Sequence, residues 1–138
     1  LDPQKALELL DPSAEIRQLL DGATVVSDRS EPFDGRAART VVFRPVPDVD
    51  EEDRKSLKRY EDVVTLRLDG EGVPVALERS LDLKVSKMLL SFTVSHRESR
   101  RFARAAGRLV TASATEESSG SGLGQSSGSK TVYTVTLL

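Results

Sequence analysis

"SHRESRRFARAAGRLV" runs from Ser95 to Val110 and holds five arginines (Arg97, Arg100, Arg101, Arg104, Arg108), the chain's one histidine, His96, and a single acid, Glu98. Its reading decides the fold. By propensity it is a helix: Ser95 and Glu98 stand at capping-box spacing, "RRFARAA" is rich in helix formers, and Gly107 is a stop. As a helix it would carry a basic face suited to gripping phosphates. By context it is a strand, a tight turn at Ala106-Gly107, and a second strand. The segments on both sides alternate apolar and polar residues, and tertiary context overrides propensity. We therefore expect strands. Arg100, Phe102 and Arg104 then point one way and Arg101, Ala103 and Ala105 the other, so the arginines decorate the rim of a sheet.

Working outward, the same alternation recurs. "VVTLRL" and "VPVALE" flank Asp69-Gly70-Glu71-Gly72, a hairpin in sequence terms. "ATVVSDRS" and "RAARTVVFRPVP" flank a turn that contains Pro32 and Asp34-Gly35, a strong short-range hairpin signal. "SLDLKVSKMLLSFTVSH" reads as one long strand. Leu81, Leu83, Val85 and Leu89 share a phase, Leu90, Phe92 and Val94 the opposite one, and the slip predicts a bulge at Leu89-Leu90. "RLVTASATEE" and "KTVYTVTLL" are the last two strands, with a Gly/Ser-rich stretch between them expected as a flexible loop over 118–129.

The N-terminal 22 residues read as a helical lead-in. Asp2-Pro3 opens one apolar stripe through Ala6, Leu7, Leu9 and Leu10. Asp11 or Ser13 caps a second through Ile16, Leu19 and Leu20, and Gly22 supplies a stop. A third helical stretch is expected near 49–59, where Asp48 and Glu51 stand at capping-box spacing and the pairs Asp50–Arg54 and Glu51–Lys55 place the acid first. The fold class is thus α+β: one domain over 1–138, a curved and mostly antiparallel meander over 23–138, with short helices at the N-terminus and near 49–59.

Composition closes several functional routes. The 138 residues carry a net charge of −2, which argues against a nucleic-acid partner. There is no cysteine, so thiolate chemistry and cysteine zinc sites are excluded; one histidine excludes a multi-histidine metal site. Aromatic residues are 4% of the chain, so any pocket is aliphatic in character. No apolar run reaches the length of a membrane span. The chain begins at Leu1, not Met, which fits either a removed signal peptide or a domain boundary.

The remaining motifs have plain structural explanations. Gly124-Gln125-Ser126-Ser127-Gly128 matches G-x-S-x-G, but a nucleophile elbow needs a strand-to-helix turn and a base, for which His96 is the sole histidine. Gly128-Ser129-Lys130-Thr131 lacks the Gly-Lys adjacency of a phosphate loop. Asp48, Asp50 and Glu52 alternate like the start of a calcium loop, yet Asp53 and Arg59 stand where its Gly and Glu belong. We assign no catalytic, cofactor or metal residue and expect no enzyme.

The order of pieces, and "VTLRLDGEGVPVALERSLDLK" in particular, resembles the bacterial envelope lipoprotein-carrier and lipoprotein-sorting proteins (the LolA/LppX-like superfamily). The local match covers roughly residues 62–84. The resemblance implies a half-open curved sheet, a periplasmic or cell-envelope location, no catalysis, and an apolar concave face that receives a lipid, a lipoprotein or a protein partner.

Overall fold

The computed structural model describes Pro3, residues 9–122 and residues 125–134. Among these, seven strands form one antiparallel sheet in sequence order: β1 (Thr24–Ser30), β2 (Ala38–Arg44), β3 (Leu57–Asp69), β4 (Pro74–Lys87), β5 (Leu90–Ala105), β6 (Arg108–Gly122) and β7 (Gln125–Thr134). β1 and β7 are its edges, so the sheet is open. Two helices accompany it, α1 (Pro12–Leu20) and α2 (Glu51–Arg54). The first expected helical stripe, Asp2–Leu10, lies mainly outside the described residues.

The turns explain the register. Asp34-Gly35 and Ala106-Gly107 both hold positive φ at both positions (52° and 75°; 50° and 76°), the hand that matches strand twist. The opening stretch is therefore strand, turn and strand, with Ala105 opposite Arg108. The expected rim position of the arginines is overturned. β5 lies between β4 and β6, and Arg100 is 3% exposed.

The slip at Leu89-Leu90 is not a bulge. It is a hairpin: Lys87 pairs with Leu90, and Met88-Leu89 is the two-residue turn. Met88 adopts φ +57°, which costs a residue with a β-carbon about 1 kcal/mol. The phase changed because the chain reversed.

The stretch 118–129, expected as a flexible loop, is mostly paired strand. Ser118 faces Ser129 and Gly122 faces Gln125. Neighbouring side chains compensate for the bare backbone: a β-carbon at Gly122 would overlap the Phe92 ring, which covers it from β5.

The helix expected near 49–59 is a single turn. Asp50, not Asp48, caps it, its Oδ1 accepting from Asp53 N at 2.9 Å. Strand pairing with β4 begins at Leu57, claiming Tyr60 for the sheet.

Cross-strand partners share a face. Val64, Leu66 and Phe43 therefore face the same way as Leu77, and Ile16 of α1 packs on them, with Leu19, Phe102 and Leu109 around the margin. Phe43 and Val64 are fully buried. Full burial of such side chains stabilises by roughly 1.5–3 kcal/mol each. α1 has nine residues, about 14 Å of helix, whereas β5 has sixteen, about 50 Å of strand. The helix can cover only one end of the face.

Candidate functional site

On the helix-bearing face, beyond the apolar core, each strand from β3 to β5 contributes charge. Val64 stands opposite Arg79, Arg79 opposite Glu98, and Glu98 opposite Glu116. Arg79 donates to Asp62 from Nε at 2.9 Å and from its terminal nitrogen at 2.6 Å, a bidentate pair with the Asp62 side chain 2% exposed. Arg100 is bracketed by Glu98 on its own strand and Glu15 of α1, to which it donates at 2.5 and 3.2 Å. Burial pulls the Arg100 guanidinium down, but the two carboxylates outweigh it and hold it above its ordinary value. The Asp62 hydrogen bonds raise Arg79 in the same way. A buried ion pair of this kind adds little net stability, but removing one partner strands a charge. The network therefore fixes where α1 sits.

His96 is one row further along. Its Nδ1 lies 2.7 Å from Ser118 Oγ, and its Nε2 lies 3.9 Å from Glu98 Oε2. A hydroxyl, an imidazole and a carboxylate in line invite comparison with nucleophilic triads. The backbone does not supply the rest of that chemistry: Ser118 is a strand-interior residue paired on both sides, by His96 and by Ser129, not an exposed elbow. The motif serine, Ser126, is placed elsewhere, opposite Ser121 and out of register with His96. Gly124 lies outside the described residues.

Past His96 the face becomes apolar again and stays uncovered. Between α1, the segment after β2, and strands β3 and β4 lies a groove of about 560 Å³ lined by the apolar Leu19, Val46, Leu81 and Leu83 and by the polar Glu15, Gln18, Asp48 and Arg79, with the Tyr60 ring among them. Burial raises the Tyr60 phenol, helped by the nearby Asp62 carboxylate. In strand pairing, Leu83 stands beside Val94 and Val85 beside Phe92. Val94, Phe92 and Leu90 are 36%, 44% and 49% exposed. An apolar track thus leads from the groove to the end of the β4–β5 hairpin.

The opposite face differs. A trough of about 380 Å³ there is lined by Val63, Thr65, Ser80, Ser99 and Thr115, with Glu78, Arg97 and Glu117 beside them, so that short side chains expose mainly carbon between charged neighbours. At its end the β1–β2 hairpin places Phe33 between two guanidiniums, Arg67 at 4.7 Å and Arg101 at 4.5 Å from the ring centroid. Asp34 accepts from Arg101 at 2.6 Å and Glu78 from Arg67 at 2.8 Å, so both arginines are used structurally.

Sequence reasoning missed the Asp62–Arg79 and Glu98–Arg100–Glu15 network. The signal was present: Asp62 is in phase with Val64 and Leu66, Arg79 with Leu77 and Leu81, and Arg100 with Phe102. Charges in phase with the core stripe, as these three are, are candidates for burial.

Among the described residues the architecture is that of an open antiparallel meander with α1 seated on one end of one face. No protein-family model, curated protein or solved structure matches the chain. Among the described residues no helix is long and apolar enough to cross a membrane.

Proposed function

We propose that this is a non-enzymatic bacterial cell-envelope protein whose sheet is curved and whose helix-bearing face receives an apolar ligand, a lipid tail or a lipoprotein. The groove of about 560 Å³, continuous with the exposed side chains of Val94, Phe92 and Leu90, carries this reading. Its size is in the range of small-ligand sites, and its lining is divided about evenly between apolar side chains and the polar groups Glu15, Gln18, Asp48 and Arg79. Glu15 and Arg79 sit where a polar head would rest, and Leu81 and Leu83 where a chain would lie. The resemblance of residues 62–84 to lipoprotein carriers points the same way.

Native mass spectrometry of protein purified from cells, followed by lipid extraction, tests this. The expected result is a reproducible lipid adduct that Leu83→Glu removes. A clean unliganded mass under gentle conditions counts against it. The second reading is a protein-interaction module with no small-molecule ligand, favoured by the exposure of Leu90 and Phe92 on a long hairpin. An unliganded mass together with a co-purifying protein that Phe92→Glu releases would select that reading.

A further inference from the structure

Among the described residues, three two-residue turns in this sheet differ in kind. Two are built with Gly at the second position, Asp34-Gly35 and Ala106-Gly107. The third, Met88-Leu89, has no turn residue. Met88 takes a left-handed φ of +57°, and the two side chains are 95% and 102% exposed. Neither contributes packing, and with positive φ at Met88 alone the turn would close better with Gly at its first position. The fold gives no reason for two large apolar side chains at this point.

We propose that the β4–β5 hairpin tip docks on an anionic lipid bilayer, with Met88 and Leu89 inserted at the boundary of headgroups and acyl chains. The tip is convex, and a two-residue projection at roughly 3.3 Å per residue, with its side chains, reaches the 5–10 Å depth of interfacial insertion. Leu90 and Phe92, half exposed, extend the apolar surface behind it. From Leu83 to Val94 the hairpin carries Lys84 and Lys87 and no acid, so cations flank the apolar tip at headgroup height. The acids on the β3 side are Asp50, Glu51, Glu52 and Asp53, close enough for Lys87 to act on Asp53. Arg54, Lys55 and Lys58 follow them in the chain and offset most of that charge, so the hairpin's own lysines set the sign. A bilayer accepts a convex apolar tip without shape complementarity; a protein groove would need to match it. The inference stands on the tip alone and does not rest on the groove being filled.

The test is co-sedimentation of the full chain with vesicles of equal parts phosphatidylglycerol and phosphatidylcholine, beside vesicles of phosphatidylcholine alone. The chain is expected to bind the anionic vesicles, and Met88→Ser with Leu89→Ser to weaken binding about tenfold or more. Lys84→Ala with Lys87→Ala should weaken it roughly fivefold per lysine at low salt. The variant Met88→Gly with Leu89→Asn serves as the folding control: it should melt higher than the parent yet bind as poorly as the serine pair. Absence of binding, equal binding to both vesicle types, or binding unchanged by the tip variants overturns the proposal. So does a dimer seen by sedimentation velocity that the serine pair abolishes while no vesicle binding occurs, since a second copy would then cover the tip. Lipid adducts that persist in the serine pair would separate loss of docking from loss of the groove's ligand.

Discussion

The two ends of the helix-bearing face belong to one sheet and obey the same alternation, yet they end in opposite environments. At one end Phe43, Val64, Leu66 and Leu77 are sealed beneath Ile16. At the other, Leu90, Phe92 and Val94 stand partly in solvent. The difference is one of length. About 14 Å of helix cannot cover about 50 Å of strand. Alternation specifies which residues share a face; what lies on that face depends on elements elsewhere in the chain. The buried ion pairs stand between the two regimes, where the face passes from sealed to open.

Paired truncations put the largest strain on this comparison. Phe43→Ala should cost about 4 kcal/mol of unfolding free energy, because a fully buried ring leaves a cavity. Phe92→Ala, at the open end, should cost about 1 kcal/mol, the ring being 44% exposed. Urea denaturation reads both. Equal losses would mean that the open end is packed as tightly as the sealed one and that the contrast is false.

The boundary between the regimes comes next. Arg100→Ala should cost about 3 kcal/mol, since it leaves Glu98, 8% exposed, without its cation and releases Glu15 of α1. Arg97→Ala on the opposite face breaks the half-exposed pair with Asp82 and exposed bonds to the Leu81 and His96 carbonyls, which water can replace, and should change stability by less than about 1 kcal/mol. Replacing Glu98 and Arg100 together by Gln and Met should recover much of the loss, because the penalty arises from an unpaired charge and not from a missing bond.

The tip separates stability from exposure. Met88→Gly with Leu89→Asn should raise unfolding free energy by up to about 1 kcal/mol, because it relieves the left-handed Met. A drop in stability would show that Met88 and Leu89 pack on something in the folded protein, and that the open end is less open than its side chains suggest.

These contrasts also show why parts of the chain were legible from sequence. Asp34-Gly35, Asp69–Gly72 and Ala106-Gly107 are turns whose chemistry announces them, and the strands they join follow. Met88-Leu89 reads as continuous strand because neither residue carries a turn signal; only the change of phase marks the reversal. Ser118–Gly122 and Gln125–Ser129 were read as loop because their composition is that of linkers; they pair because β5 supplies a template and Phe92 covers Gly122. The groove could not be read, since it is assembled from Leu19, Val46 and Leu83, which lie far apart in the chain. Residues in one strand pattern foretell a face, but a concavity needs three elements in space.

The smallest effect concerns a turn that sequence did foretell. Asp69 Oδ1 accepts from Glu71 N at 2.9 Å and from Val73 N at 3.0 Å, and these backbone donors, Val73 first, hold its carboxyl below the ordinary carboxylate range. A depressed folded-state value means the stabilisation is fully present above the unfolded carboxylate value of about 3.9 and is lost as pH falls through the lower folded value. Asp69→Asn keeps an oxygen that can accept both bonds, so at neutral pH its melting temperature should nearly match the parent's. The two should then diverge below about pH 4, where the parent loses this contribution and the Asn variant does not. Asp82, lowered by Ser95 and Arg97 on the neighbouring strand, adds a loss of the same sign in both proteins and therefore cancels from the difference. Parallel acid melting curves would show that the turn is held by its glycines alone, and that the DGEG signal owes nothing to its aspartate.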